Sequence, residues 1–345
     1  MSTDLRPLSD LEPLVIAAQG AHPFGGRVVG DPAIASIRCD HGYVEYQIPP
    51  NSRRYPLVLT HGSSTKTWET TFDGRDGFKN IFLRRGFSTY MTDLPRVGRA
   101  GQGCAPTAYQ PQANNDQWSF TTWRLGTWLP GEPEPTFYPN VQFPTDDPDA
   151  LDEFFRIQYP EFRDPENLRV ETDALAILLE KVGPSIVLTH SSSANRGWVG
   201  ATKSDNVAAI VAYEPGDYVF PEDEMPDPIL RADGTNVVPG IAVSRADFDK
   251  LTRMPIQIVW ADFIPSELNS KNVGPLLPLD NRRVNVVRSR LFADAVNRRG
   301  GKAELLMLPE IGIRGNTHFP MLDLNNLEIA DLLSKFLEEN RLDLR

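Results

Sequence analysis

Six short runs of apolar, β-prone residues recur along this 345-residue chain, several of them separated by amphipathic stretches. They span residues 56–60 (PLVLT), 87–92 (FSTYMT), 185–189 (SIVLT), 207–213 (VAAIVAY), 256–260 (IQIVW) and 303–308 (AELLML). Most are apolar at nearly every position, the pattern of strands buried on both faces. Before the third run, Leu175, Leu178, Leu179 and Val182 recur at helical spacing and end at Gly183. Val284, Val287 and Leu291 mark a second helix closed by Gly300, and Ile329, Leu332, Leu333, Phe336 and Leu337 mark a last one. Strand and helix in alternation predict an α/β fold with a mostly parallel central sheet and helices on both faces. Residues 25–48, which include the period-two segment GYVEYQI, add antiparallel strands at one edge.

Two stretches break this pattern. The chain has 30 prolines, well above the ordinary frequency, and many fall in residues 101–167 and 216–249. We read one domain over 1–345, with its core at about 40–100, 168–215 and 250–345 and the two irregular stretches as lid or cap insertions. The composition, 40% hydrophobic and 23% charged, argues against long disorder or coiled coil. The net charge of −11, with no Lys/Arg-dense face, argues against nucleic acid or an anionic membrane as partner. No apolar run approaches the roughly 18 residues of a membrane span. The opening residues carry acids and one five-residue apolar run, Leu14 to Ala18, so a cytoplasmic or already processed protein is expected. Cys39 and Cys104 stand outside any CxxC or Cys/His cluster, which leaves a zinc site unsupported and a single mutual disulfide as the alternative to free thiols.

Chemistry concentrates at residues 185–200, SIVLTHSSSANRGWVG, where an apolar strand runs into small residues and then a helix. A nucleophile on such a strand-to-helix turn needs small neighbours two positions away on each side, because backbone and helix approach closely. Ser191 is the candidate nucleophile, with Thr189 and Ser193 replacing the glycines of GxSxG; Ser192 and Ser193 are the alternatives. A serine needs a base, and the five histidines are His22, His41, His61, His190 and His318. His318 follows the last strand in GIRGNTHFP, at the sheet's carboxyl edge where open α/β sheets gather their sites. His61 is expected to shape the turn after the first core strand, and the His190 side chain to point away from the site.

Two carboxylates compete to orient the imidazole. Glu214 follows VAAIVAY and Asp262 follows IQIVW, both at strand ends. For the oxyanion, the backbone N–H groups of Ser63, in the turn THGSS, and of Ser192 are the candidate donors. Trp68, Trp118, Trp123 and Trp128 are candidate walls of a substrate pocket.

These runs carry a resemblance. HGSSTKTWETTFDGRDGF, DLPRVGRAG, THS, YEPG and GNTHFPMLDLNNLEIADLL make residues 40–340 resemble the α/β-hydrolase superfamily, and within it a bacterial and fungal esterase family. The resemblance implies a Glu after the sixth strand as triad acid, which maps onto Glu214. Relatives usually carry Gln-Gly after the nucleophile, whereas Ser192, Ser193, Ala194 and Asn195 stand here, which bears on substrate preference rather than on reaction type. The expected activity is hydrolysis of small-molecule carboxylic esters, lactones included, by a Ser-His-Glu triad with no metal or organic cofactor. A carbon–carbon bond hydrolase or lyase, or a non-catalytic binding protein, are the rival readings. The sequence leaves assembly as a homo-oligomer open.

Overall fold

The apolar runs become the interior of an eight-stranded sheet. The structure, a computed structural model, describes residues 13–62, 65–104, 114–158, 165–267 and 273–345. Its strands are β1 (Ala18–Asp31), β2 (Ala35–Ile48), β3 (Leu57–Thr60), β4 (Thr89–Asp93), β5 (Ser185–His190), β6 (Val207–Tyr213), β7 (Pro255–Trp260) and β8 (Lys302–Met307). They lie in the order β1-β2-β4-β3-β5-β6-β7-β8. Every pairing from β4 across to β8 is parallel, and β1 with β2 forms an antiparallel hairpin whose second strand runs antiparallel to β4.

Two-residue alternation divides the core between the faces. Leu57, Leu59, Ile186, Leu188 and Val211 meet α1 (Phe78–Arg84) and the C-terminal helix on one side, while Val58, Val187, Ile210 and Ile258 meet the other layer. That second layer comprises α4 (Pro165–Val182), α5 (Ala194–Lys203), α6 (Arg245–Lys250) and α7 (Val273–Arg298). α4 ends where Gly183, at φ 88°, donates its N–H to the Leu179 carbonyl. The C-terminal helix is α8 (Asn326–Glu339), with Ile329, Leu333, Phe336 and Leu337 inward.

The described parts of the insertions pack into the same cores. α2 (Asp116–Thr122) and α3 (Ala150–Arg156) belong to the first, and Phe120, Trp123, Phe143 and Phe154 join one cluster with Phe72 and Phe319. Tyr218, Val219 and Phe220 from the second insertion are fully buried against Phe292 of α7.

The cysteines are not free. Cys39 on β2 is bridged to Cys104, closing a span of 65 residues, so of the two alternatives the sequence left the structure takes the disulfide. The neighbouring Asp40, nearly fully buried, pairs with Arg27 and Arg96, each at 2.9 Å. Among the described residues no helix is long and apolar enough to cross a membrane.

Candidate active site

The end of β5 bends sharply into α5. Ser191 takes φ 55°, a left-handed conformation costly for a residue with a side chain, and this lifts its hydroxyl off the strand end. Two of the elbow's smaller neighbours replace glycine by different means. Thr189 is accommodated because α5 presents Gly197, where an added Cβ would lie 2.6 Å from the Thr189 methyl. Ser193 turns its hydroxyl inward, accepting from the His190 N–H at 2.9 Å and facing the carbonyls of His190 and Thr60. It is 1% exposed, so its hydroxyl serves the backbone and not the cavity. Gly62 abuts the elbow, since a Cβ there would meet Ser192 Oγ at 2.7 Å and Ser191 Cβ at 3.4 Å. Ser63, the candidate oxyanion donor beside it, lies outside the described residues.

His318 sits across from this turn. Its Nε2 is 2.9 Å from Ser191 Oγ, and its Nδ1 is 3.2 Å from Glu214 Oε2. An Nδ1–H donated to the carboxylate leaves Nε2 as acceptor for the serine proton. Burial pushes the imidazole well below its ordinary range, helped by the positive charge of Arg282, so the ring is neutral at neutral pH.

Glu214 is also fully buried and left-handed, at φ 53°. Burial raises its carboxyl, but Arg124 and Arg282 and the Ala261 N–H pull the other way. Its Oε1 accepts from Arg124 Nη2 and from the Ala261 N–H, both at 2.7 Å. These donors, with His318, suit the carboxylate form.

Asp262, the competing acid, is placed differently. Its carboxylate accepts from the backbone N–H groups of Phe263 (2.8 Å) and Gly315 (2.9 Å), and so braces the loop leading to His318.

That loop is held from several directions. The His318 N–H donates to the Trp123 carbonyl at 2.9 Å, and the Trp123 ring lies parallel to the imidazole at a centroid distance of 6.4 Å. Asp323 accepts from the Thr317 N–H, the Thr317 hydroxyl and Asn316, and burial raises its carboxyl to about 7. The His190 side chain does not line the cavity, in keeping with the expectation, and lies behind the site. Its Nε2–H donates to the His318 carbonyl at 2.8 Å while the ring accepts from the Ser193 N–H, and burial lowers it to about 3. It is a neutral strut between elbow and loop.

A cavity of about 550 Å³ opens over Ser191 and Ser192. Trp118 and Trp123 wall it, and Trp118 and Pro278 are shared with a second cavity of about 310 Å³ that reaches Trp128. Trp68 does not belong there. It is fully buried beside Phe78 and Tyr213, with its indole N–H donated to the Thr60 carbonyl at 2.9 Å, and that corrects its assignment as a pocket wall. His22 and His41 lie on the β1–β2 hairpin, away from this cavity.

Sequence reasoning missed Arg124, which is fully buried in a left-handed turn of the first insertion and ties Glu214 to the Asp262 carbonyl. It also missed the arginines lining the cavity, Arg196, Arg231, Arg282 and Arg288.

A probable secreted lipase, phiG, of Fungal sp. (strain ATCC 74256) is 26% identical over 318 residues, covering 86% of this chain and 85% of that protein. A solved structure of a novel bacterial esterase matches with a TM-score of 0.74 at 28% identity, covering 96% of this chain and 98% of that one. No protein-family profile matches the chain. The sheet order, the strand-to-helix turn at Ser191 and this nearly full-length structural likeness together identify the chain as having the α/β-hydrolase fold.

Proposed function

We propose that this chain is a serine hydrolase of carboxylic esters, lactones included because a ring carbonyl presents the same electrophile, acting through a Ser191-His318-Glu214 triad. The observation that carries the reading is the 2.9 Å contact between a neutral buried imidazole and a serine hydroxyl that faces a cavity. The likeness to an esterase and to a lipase supports the same class.

In this reading His318 Nε2 takes the Ser191 proton as Oγ adds to the ester carbonyl. The N–H groups of Ser192 and Ser63 are assigned to the developing oxyanion, each such donor contributing about 10²- to 10³-fold in rate. Collapse of the tetrahedral species breaks the bond to the alcohol oxygen, which leaves with the proton from His318. Water, deprotonated by the same nitrogen, then cleaves the acyl–Oγ bond and restores the serine. Glu214 fixes the imidazole tautomer throughout. The rings of Trp118 and Trp123 supply apolar wall to the substrate.

The insertions at 101–167 and 216–249 act as the cap of this one domain. The cytoplasmic placement expected from the opening residues competes with an oxidising compartment, and the Cys39–Cys104 bridge argues for the latter, because cytosolic thiols are kept reduced.

The test is hydrolysis of short and long p-nitrophenyl esters together with aromatic and macrocyclic lactones, on wild type and on Ser191→Ala. Turnover that the substitution abolishes supports the reading. Turnover that survives it removes Ser191 as nucleophile.

A further inference from the structure

The cavity over Ser191 is cationic in a chain whose net charge is −11. Among the described residues four arginines line it, against one acid, Asp217, and their charges are unequally met. Arg196 is matched by the buried Glu171, 2.7 Å away. Arg231 has Asp233 and Arg288 has Asp217, in both cases only at 3.6 Å, and Asp217 is half exposed. Arg288 is 9% exposed and otherwise meets neutral acceptors: the Asn285 side chain at 2.9 Å and the carbonyls of Val238 at 2.6 Å and Gly216 at 3.4 Å. The Nε atoms of Arg288 and Arg231 are buried with no hydrogen-bond partner among the described residues.

Burying guanidinium groups together without full counter-charge is unfavourable, and such a cluster is relieved by an anion that enters. Burial and the positive charge of Arg231 accordingly lower the Arg288 pKa while Asp217 pulls it up. The cluster also adjoins the chemistry. Arg288 reaches the Gly216 carbonyl while the Gly216 N–H donates to the Ser191 carbonyl at 3.0 Å, and Arg196 reaches the Ser192 carbonyl at 2.6 Å. The charges therefore lie beside the nucleophile's own backbone, on the cavity side of the elbow.

We infer that the substrate is an anionic ester, one that carries a carboxylate near the scissile carbonyl, and that Arg288 and Arg231 recognise that carboxylate. The planar fork of a guanidinium fits a carboxylate with two parallel hydrogen bonds, which an ammonium cannot reproduce. This inference rests on the ester-hydrolase reading and names the substrate class of the same site. The second cavity, which shares the Trp118 and Pro278 walls and is lined by Trp128, then receives the uncharged part of the ester.

The test uses two matched pairs. Mono-4-nitrophenyl glutarate against 4-nitrophenyl valerate places the charge on the acyl part, and 4-butyryloxybenzoate against its methyl ester places it on the alcohol part. At low salt the wild type is expected to favour the charged member of at least one pair in kcat/KM by about 10- to 100-fold, the range of a charge-assisted contact. That preference should shrink at 0.5 M salt. Arg288→Met should reduce the charged-to-neutral ratio about tenfold or more, with Arg288→Lys recovering only part of it. Because Arg288 also ties Gly216 and Val238, Arg231→Met repeats the measurement at a side chain with fewer structural contacts, and the ratio should fall there too. If the neutral members are hydrolysed as well as or better than the charged ones, the inference is overturned while the ester-hydrolase reading stands. If no ester of either kind is turned over, both fall.

Discussion

The molecule holds two buried histidine–carboxylate pairs at the carboxyl edge of one sheet, and they are built for different work. His61, just after β3, places Nε2 3.1 Å from Asp93 Oδ1, and His318 places Nδ1 3.2 Å from Glu214 Oε2. The contrast lies in the other ring nitrogen. His61 Nδ1 faces the Gly62 carbonyl at 2.9 Å, so both of its nitrogens point at acceptors and neither is available to take a proton from a substrate-side group. His318 Nε2 faces a hydroxyl, which can give one. Asp93 differs from Glu214 in the same sense. The His61 and Arg99 donors outweigh burial and hold its carboxyl well below the usual range, while burial keeps that of Glu214 raised. A histidine beside a carboxylate is thus a brace or a base according to what its far nitrogen meets.

Substitutions at the two pairs sharpen this contrast. His318→Gln should lower kcat by about 10⁴-fold, whereas His61→Gln should cost activity at least about a hundredfold less. Steady-state kinetics on one ester measures both. Equal losses would erase the distinction.

The acids make the second comparison. Glu214→Gln should reduce kcat by about 10³- to 10⁴-fold through loss of the imidazole tautomer, and Asp262→Asn by less than about tenfold, because the Asp262 carboxylate meets the backbone N–H groups of Phe263 and Gly315 and not the imidazole. A large loss confined to Asp262→Asn reverses the assignment.

Stability should respond in the opposite sense to catalysis at the bracing pair. Asp93→Asn leaves His61 and Arg99 short of their acceptor and is expected to destabilise by about 1–3 kcal/mol in urea denaturation. Replacing Cys39 and Cys104 together by serine opens a loop 65 residues long and should cost about 2–4 kcal/mol, with kcat within about threefold of wild type.

The smallest effect is on pH. In the proposed mechanism His318 works as the neutral imidazole, and its pKa is depressed, so the active form is expected to persist as the pH falls below the ordinary histidine value of about 6.5. The acid limb of kcat/KM should have its midpoint below that pH. A midpoint above it would mean that the partner contacts outweigh burial at His318.

Much of the frame could be read before the fold was known. The six apolar runs coincide with β3 to β8 to within two residues, because strands buried on both faces leave an unbroken apolar signature. The elbow at Ser191 is legible for a local reason too, since the turn needs small residues at fixed offsets. Arg124, Arg282 and Arg288 left no such trace. They act across the fold, Arg124 on a carboxylate 90 residues away, and a lone arginine in an insertion or a helix has no periodicity that would set it apart. Trp68 was misplaced for a related reason, because an indole that fills a core and one that walls a pocket look alike until their neighbours are known. His190 shows the same limit from the other side. Its position after β5 was evident, but its grip on the His318 carbonyl depends on a loop 128 residues on.

The central claim is that Ser191 carries the acyl group, and the most direct measurement is to trap it. Wild-type protein mixed with excess p-nitrophenyl butyrate and quenched in acid should show one added butyryl group by intact-mass spectrometry, located by peptide mapping to Ser191 and absent from Ser191→Ala. A butyryl group on another residue, or ester turnover by Ser191→Ala at the wild-type rate, would contradict the account.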